Sequence, residues 1–256
     1  MKYKCNSSKT QPLLVTSIIS YYTYTMTRLA AFLFCVCMNG VANAAPFAYI
    51  SNSEDGTVSV IDLATDSVVK TIAVGVRPLG VAVTRDGTKV YATDLLDKSI
   101  TMIDGQDQTV LTKKSLDIIP KSVAVNSSQS RVYVVGGESG REKPRSSSVL
   151  VLDANTLETL HQIPLMLKEE AIYIAVAPDD AHVWVSVGKY EVIVIDTSTN
   201  TIAQEITIQA GSLSPLVFGE NPRMAYIGGR SSLIAVNISS NPPDFQKIHM
   251  MAGGDT

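Results

Sequence analysis

Thr57-Val58-Ser59-Val60-Ile61-Asp62-Leu63-Ala64-Thr65-Asp66-Ser67, running on into Val68 to Val74, decides the fold of this chain. Val58, Val60 and Asp62 point one way and Ser59 and Ile61 the other, which is the two-residue period of a half-buried strand. Ala64-Thr65-Asp66-Ser67 turns the chain into the second apolar run. Downstream, Arg85-Asp86-Gly87-Thr88 predicts another hairpin turn, with Gly87 free to take a positive φ. No stretch carries a sustained 3.6-residue period.

The same unit returns along the sequence. An apolar pair followed by an acid or amide recurs as Val60-Ile61-Asp62, Met102-Ile103-Asp104, Val151-Leu152-Asp153, Val194-Ile195-Asp196 and Ala235-Val236-Asn237, at spacings of 42, 49, 43 and 41 residues. An aromatic recurs in phase as Tyr49, Tyr91, Tyr133, Trp184 and Tyr226, spaced 42, 42, 51 and 42. A third marker appears four times, as Val81-Ala82-Val83, Val123-Ala124-Val125, Ile174-Ala175-Val176 and the poorer Leu216-Val217-Phe218, and Val60 and Val83 both read as core, where a charge would lie unpaired among packed sheets. Four short strands per unit of about 40 to 45 residues, repeated around an axis, are the signature of a β-propeller. The expected fold is therefore all-β, a β-propeller of four-stranded blades with about five blades present.

The first repeat resembles the YncE-like or YVTN-type bacterial β-propellers. The likeness rests on Ala48-Tyr49-Ile50-Ser51-Asn52, Thr57 to Asp62, Thr71-Ile72-Ala73-Val74-Gly75, Pro78, Val81-Ala82-Val83, Asp86-Gly87 and Val90-Tyr91-Ala92-Thr93. The second and fourth repeats are similar to it, and the third and fifth are looser. The resemblance extends over about residues 47 to 252 and implies a fold rather than an activity; the WD dipeptide repeat is absent. In such rings the C-terminus usually supplies the inner strand missing from the first blade. Here Gly253-Gly254-Asp255-Thr256 aligns with Gly75-Val76-Arg77-Pro78, just ahead of that strand. Two expectations stand side by side: a five-bladed ring with a three-stranded first blade, or a chain truncated from a seven-bladed ring.

Composition narrows the class. With 45% hydrophobic and 18% charged residues the chain is of ordinary globular make-up, which excludes disorder and collagen. Residues 1–44 carry Lys2, Lys4, Lys9 and Arg28 and no acid. Within them Met26-Thr27-Arg28, the apolar run Leu29 to Met38 and the small-x-small site Ala42-Asn43-Ala44 have the three-part layout of a signal peptide. The expectation is a signal proper at 26–44 behind a misassigned upstream start, cleavage after Ala44, and one propeller domain over 45–256. The apolar run falls short of the about 20 residues that span a bilayer. Cleavage removes four of the 21 basic residues and none of the 24 acids, leaving a net charge of −7, which disfavours nucleic acid. Cys5, Cys35 and Cys37 all leave with the signal, which suits a periplasmic or extracellular protein.

Local catalytic motifs are absent after residue 44: no cysteine, no Gly-x-Ser-x-Gly, no His-Glu-x-x-His and no phosphate loop. His161, His182 and His249 fall at different places in different repeats and read as strand or turn residues. In His249-Met250-Met251, neighbours on a strand point to opposite faces, so the three do not share one soft-metal site. The repeated Asp62, Asp104, Asp153, Asp196 and Asn237 read as turn caps rather than as a calcium array.

The repeat breaks between Tyr133 and Asp153, where Gly136 to Ser146 reads as a polar loop. Insertions of this kind map to loops and often to a binding face. The junctions Arg77-Pro78, Pro120-Lys121, Lys168-Glu169-Glu170 and Ser212 to Pro215 belong to the same face. Arg77, Lys121, Arg141 and Arg145 form the candidate basic patch there, diluted by Glu169 and Glu170. The expected function is a non-catalytic scaffold that binds a protein, glycan or small molecule through this face, with no cofactor and no metal. Rival expectations are a lactonase-like or redox-accessory propeller enzyme with a metal or cofactor at the axis, and a fragment without function. Open blade edges would invite self-association.

Overall fold

A computed structural model describes residues 47–137, 146–166, 169–189, 191–208, 215–219, 224–228, 232–237 and 244–249. The chain divides into two units, Met1–Asn43 and Ala44–Thr256, and every described residue belongs to the second. Residues 1–44, on which the expected signal peptide falls, Arg141 and Arg145, Met250-Met251 and the last residues 252–256 lie outside the described residues.

All described elements are strands, in five antiparallel sheets taken in chain order. The first sheet has three: β1 (Phe47–Asn52), β2 (Thr57–Asp62) and β3 (Ser67–Ala73). The second holds β4 (Pro78–Val83), β5 (Lys89–Asp94), β6 (Ser99–Asp104) and β7 (Val110–Ser115). The third holds β8 (Ile119–Val125), β9 (Arg131–Gly137), β10 (Ser146–Asp153) and β11 (Thr159–Met166). The fourth holds β12 (Ala171–Val176), β13 (His182–Val187), β14 (Glu191–Asp196) and β15 (Thr201–Thr207). The fifth holds β16 (Leu216–Phe218), β17 (Met224–Gly228), β18 (Ser232–Asn237) and β19 (Asp244–His249). β4 packs on β8, β8 on β12 and β12 on β16, so the first strand of each four-stranded sheet is the inner one. The fold is a β-propeller, and the Val-Ala-Val marker is its inner strand.

The strand period builds the core between blades. In β5, Val90 and Ala92 face the first blade and join Val58, Val60, Ile72 and Val74; Tyr91 faces the third and joins Val132, Val134 and Leu152. The next two interfaces repeat the plan, Val135, Val149 and Val151 against Val183 and Val185, then Val192 and Val194 against Ala225 and Ile227. Each fully buried aliphatic side chain contributes about 1.5–3 kcal/mol.

The aromatic marker ties blades together. The Tyr91 hydroxyl donates to the Ala154 carbonyl at 2.6 Å, and Tyr49 to Gly105 at 3.2 Å. Both acceptors sit just after the acid marker of the next blade. Trp184 instead meets Phe218 edge-to-face, with centroids 5.8 Å apart. Burial, then the Asp153 and Asp86 carboxylates, push the Tyr91 phenol up to about 12, so it remains a donor at any ordinary pH. Tyr91→Phe is expected to cost about 1–2 kcal/mol in urea denaturation, since it leaves the Ala154 carbonyl unpaired in a buried interface. An unchanged midpoint would show that the tie carries no stability.

The acid marker caps its own turn. Asp62 accepts from the Ala64 N–H, Asp104 from Gln106 and Asp107, Asp153 from Asn155 and Thr156, and Asp196 from Ser198 and Thr199. Four residues after each acid, Asp66, Gln108, Leu157 and Asn200 take positive φ values of 50° to 58°. Gly87 has φ 71°, as its turn requires. The Ser198 hydroxyl, then the turn N–H groups, hold the Asp196 carboxyl down at about 2; the Thr88 N–H does most of the same for Asp86. A carboxyl depressed by folding adds stability above its unfolded value of about 3.9 and loses it as pH falls through the folded value. The melting temperature is therefore expected to fall between about pH 4 and pH 2, and to fall less in Asp196→Asn. A pH series of melts in which the variant tracks the wild type would remove Asp196 from that account.

Two expectations need correction. Gly136, Gly137 and Ser146 are strand rather than loop: Gly137 pairs with Ser147 and Gly136 with Ser148, so the undescribed stretch narrows to 138–145. Glycine suits position 136 because a Cβ there would lie 2.2 Å from the Ile119 carbonyl oxygen of β8. Val83, read as core, is 38% exposed. It shares the side of β4 that faces the first blade, and that blade has no inner strand among the described residues to cover it.

Candidate functional site

The end of the propeller that carries the outer-to-inner junctions is held by backbone-directed carboxylates. At the close of β5, Asp94 is 1% exposed and accepts four N–H groups. One oxygen takes Val76 and Arg77, both at 2.7 Å; the other takes Leu96 at 3.0 Å and Asp97 at 2.7 Å. The β3–β4 junction and the β5–β6 turn are thereby clamped on a single side chain. Gly75 makes room for it, since a Cβ there would lie 2.1 Å from the carboxylate. Arg77, its amide fixed, is exposed, as are Val76 and Leu96 of the same clamp, at 53% and 58%.

Two blades on, the β11–β12 junction uses a longer acid in the same way. Glu169 accepts the Lys189 N–H at 2.9 Å, and Gly188 donates to the Glu170 carbonyl at 2.9 Å. Gly188, at φ 53°, leaves the Glu169 carboxylate a place that a Cβ would occupy. Glu170 pairs with Lys121 at 2.5 Å, a half-buried ion pair between the inner strand of the third blade and the entry to the fourth. Lys113 and Asp97 pair at 2.6 Å on the second blade, where exposure makes the contact worth little.

Of the candidate patch, the structure joins Lys121 to Glu170, seats Glu169 against the 188–189 turn and leaves Arg77 exposed. Arg141 and Arg145 lie in the undescribed stretch 138–145. Sequence reading missed Asp94, whose only signal was an acid at the end of an otherwise apolar strand. It also missed the exposed apolar residues of this end, Val76, Leu96 and Met166, the last 96% exposed. Among the described residues no group of three or more His, Cys, Asp or Glu side chains is placed to hold a metal ion, and His182 stands 3.8 Å from Asp179 at a turn.

No family model matches the chain, and no curated protein matches it. Solved structures do. Hydrazine synthase from Kuenenia stuttgartiensis aligns with a TM-score of 0.67 at 16% identity, over 80% of this chain and 63% of that one. The β-propeller domain of Cps50 (Swd1) from Myceliophteria thermophila gives 0.61 at 14% identity, over 79% and 67%. Dihydro-heme d1 dehydrogenase NirN, in complex with DHE, gives 0.63 at 16% identity, over 83% and 46%. The chain thus spans less than two thirds of the hydrazine synthase and NirN chains. At these identities the likeness establishes the propeller fold alone.

Proposed function

We propose that this is a non-catalytic propeller of the YncE-like, YVTN-repeat type, exported to the periplasm or outside the cell, that binds a partner through its junction face. The observation that carries the reading is the Asp94 clamp. A buried carboxylate spends four hydrogen bonds on fixing Val76, Arg77, Leu96 and Asp97, so a cation and two apolar side chains are offered on a rigid backbone. Rigid presentation lowers the ordering cost of binding. Lys121, already paired, serves as support, while the exposed Arg77 supplies the cationic character, with Arg141 and Arg145 as further candidates from the sequence. The partner this suits is an anionic protein segment or glycan with an apolar contact.

The test is binding of the chain to a panel of acidic peptides and sulfated glycans, compared with a variant carrying Arg77→Ala, Arg141→Ala and Arg145→Ala. Ligands of this face are expected to weaken by about tenfold or more, with the melting temperature unchanged within a few degrees. Equal binding by the variant would move the function to another surface.

A second reading draws on the solved structures, two of which bear enzyme names, hydrazine synthase and dihydro-heme d1 dehydrogenase. An enzyme or redox-accessory propeller would hold a metal or cofactor at the axis. Stoichiometric Ca, Cu or Fe in the purified protein would favour it over a purely binding role.

A further inference from the structure

The sequence holds three Asp-Gly pairs, Asp55-Gly56, Asp86-Gly87 and Asp104-Gly105, and the first two open the same tripeptide, Asp-Gly-Thr. Such a pair carries its own reaction. The glycine nitrogen, with no Cβ beside it to hinder approach, attacks the aspartyl Cγ and closes a five-membered imide, while the carboxyl OH leaves as water with the nitrogen's proton. Water then reopens the ring. Attack at Cγ restores aspartate, whereas attack at the main-chain carbonyl carbon leaves isoaspartate, in which the backbone runs through Cβ and is one carbon longer. The water lost is regained, so the isomerisation uses no co-reactant.

Folding engages both reacting groups at two of the three pairs. The Gly87 N–H donates to the Thr84 carbonyl at 2.8 Å, and Asp86 accepts the Thr88 N–H at 3.0 Å and the Thr88 hydroxyl at 2.8 Å. The Gly105 N–H donates to the Thr88 carbonyl at 2.8 Å, and Asp104 accepts the N–H groups of Gln106 and Asp107, each at 2.8 Å. With its carboxyl held at about 2, Asp86 also presents little of the neutral acid whose OH departs most readily. At the first pair neither group is engaged. Asp55 is exposed, and among the described residues its carboxylate accepts no donor and the Gly56 N–H meets no acceptor.

This pair lies under the junction face. The Gly56 carbonyl accepts the N–H groups of Val74 at 3.0 Å and Gly75 at 3.2 Å, directly ahead of the Val76 and Arg77 amides that Asp94 holds. Gly56, at φ 68°, sits so close that a Cβ on it would lie 2.3 Å from the Gly75 carbonyl oxygen. An extra main-chain carbon at position 55 therefore moves Gly56 out of register with its two donors. We infer that Asp55 is a self-modification site, which isomerises to isoaspartate in the folded protein far faster than Asp86 or Asp104 and thereby frees Val74 and Gly75 from Gly56, loosening the β3–β4 junction.

The purified chain is aged for weeks at neutral pH and physiological temperature, and isoaspartate at each site is read by electron-transfer fragmentation of the digested peptides. Isoaspartate is expected to accumulate at Asp55 about tenfold or more faster than at Asp86, since attack by Gly87 must first break the hydrogen bonds of its nitrogen and of the carboxylate. In guanidinium chloride the two identical tripeptides are expected to isomerise at similar rates. Amide exchange at Val74 and Gly75 is expected to quicken in the aged protein and to stay unchanged in aged Asp55→Glu, whose longer side chain does not close the five-membered ring. Equal rates at Asp55 and Asp86 in the folded chain would overturn the inference, as would a difference that persists in guanidinium chloride, because the fold would then not be its cause. Exchange at Val74 and Gly75 that is unmoved by isoaspartate at Asp55 would overturn the loosening of the junction.

Discussion

Val60→Asp is expected to abolish cooperative thermal unfolding, while Val83→Asp melts within a few degrees of the wild type. Both residues are valines in apolar strand markers. Val60 is fully buried between the first two blades, among Val58, Ile72, Val90 and Ala92. A carboxylate there loses the valine's burial, about 1.5–3 kcal/mol, and adds the cost of an unpaired charge without solvent, which is several kcal/mol more. The sum is comparable with the whole stability of about 5–15 kcal/mol typical of a domain. Val83 has water beside it already, so an aspartate there keeps its hydration. Melts followed by circular dichroism separate the two; similar behaviour of both variants would mean that the burial assigned to β2 or β4 is wrong.

Asp94→Ala is the second large effect, expected to cost about 4 kcal/mol. Hydrogen bonds to a charged group contribute about 1.5–3 kcal/mol each, and removing the acceptor leaves four N–H groups facing a site where water replaces only some of the contacts. Asp94→Asn is expected to lose about half as much, because its carbonyl still serves one pair of donors while its amide faces the other. Urea denaturation reads both, with an unchanged m-value marking a pure stability effect. A loss below about 1 kcal/mol for Asp94→Ala would show that the junction holds without the clamp.

The blades were legible in the sequence because each is local. The markers Val60-Ile61-Asp62 and Tyr49 stay in phase with their repeats, and a strand, its turn and its cap are all written within about ten residues. Even the turn role of Asp62, Asp104, Asp153 and Asp196 followed from their regularity. What the sequence hid lies between blades or between junctions. Nothing local to Asp94 announces that its carboxylate reaches back to Val76 and Arg77, or that Gly75 is small for its sake. Lys121 read as a free cation because Glu170 is 49 residues away in the chain yet 2.5 Å away in space. Val83 read as core because its neighbours in the repeat are core; its exposure depends on what stands across from it, which no period within β4 records.

Packing that joins each blade to the next in chain order has a thermodynamic corollary. Among the described residues the blades form a short one-dimensional lattice, in which the second, third and fourth are each stabilised by two interfaces and the first and fifth chiefly by one. Opening then begins at the lattice ends and moves inward, and the third blade, flanked on both sides by the largest apolar clusters, is the last to yield. Fraying of this sort places the greatest mobility in the first and fifth blades, and the least where Lys121 meets Glu170.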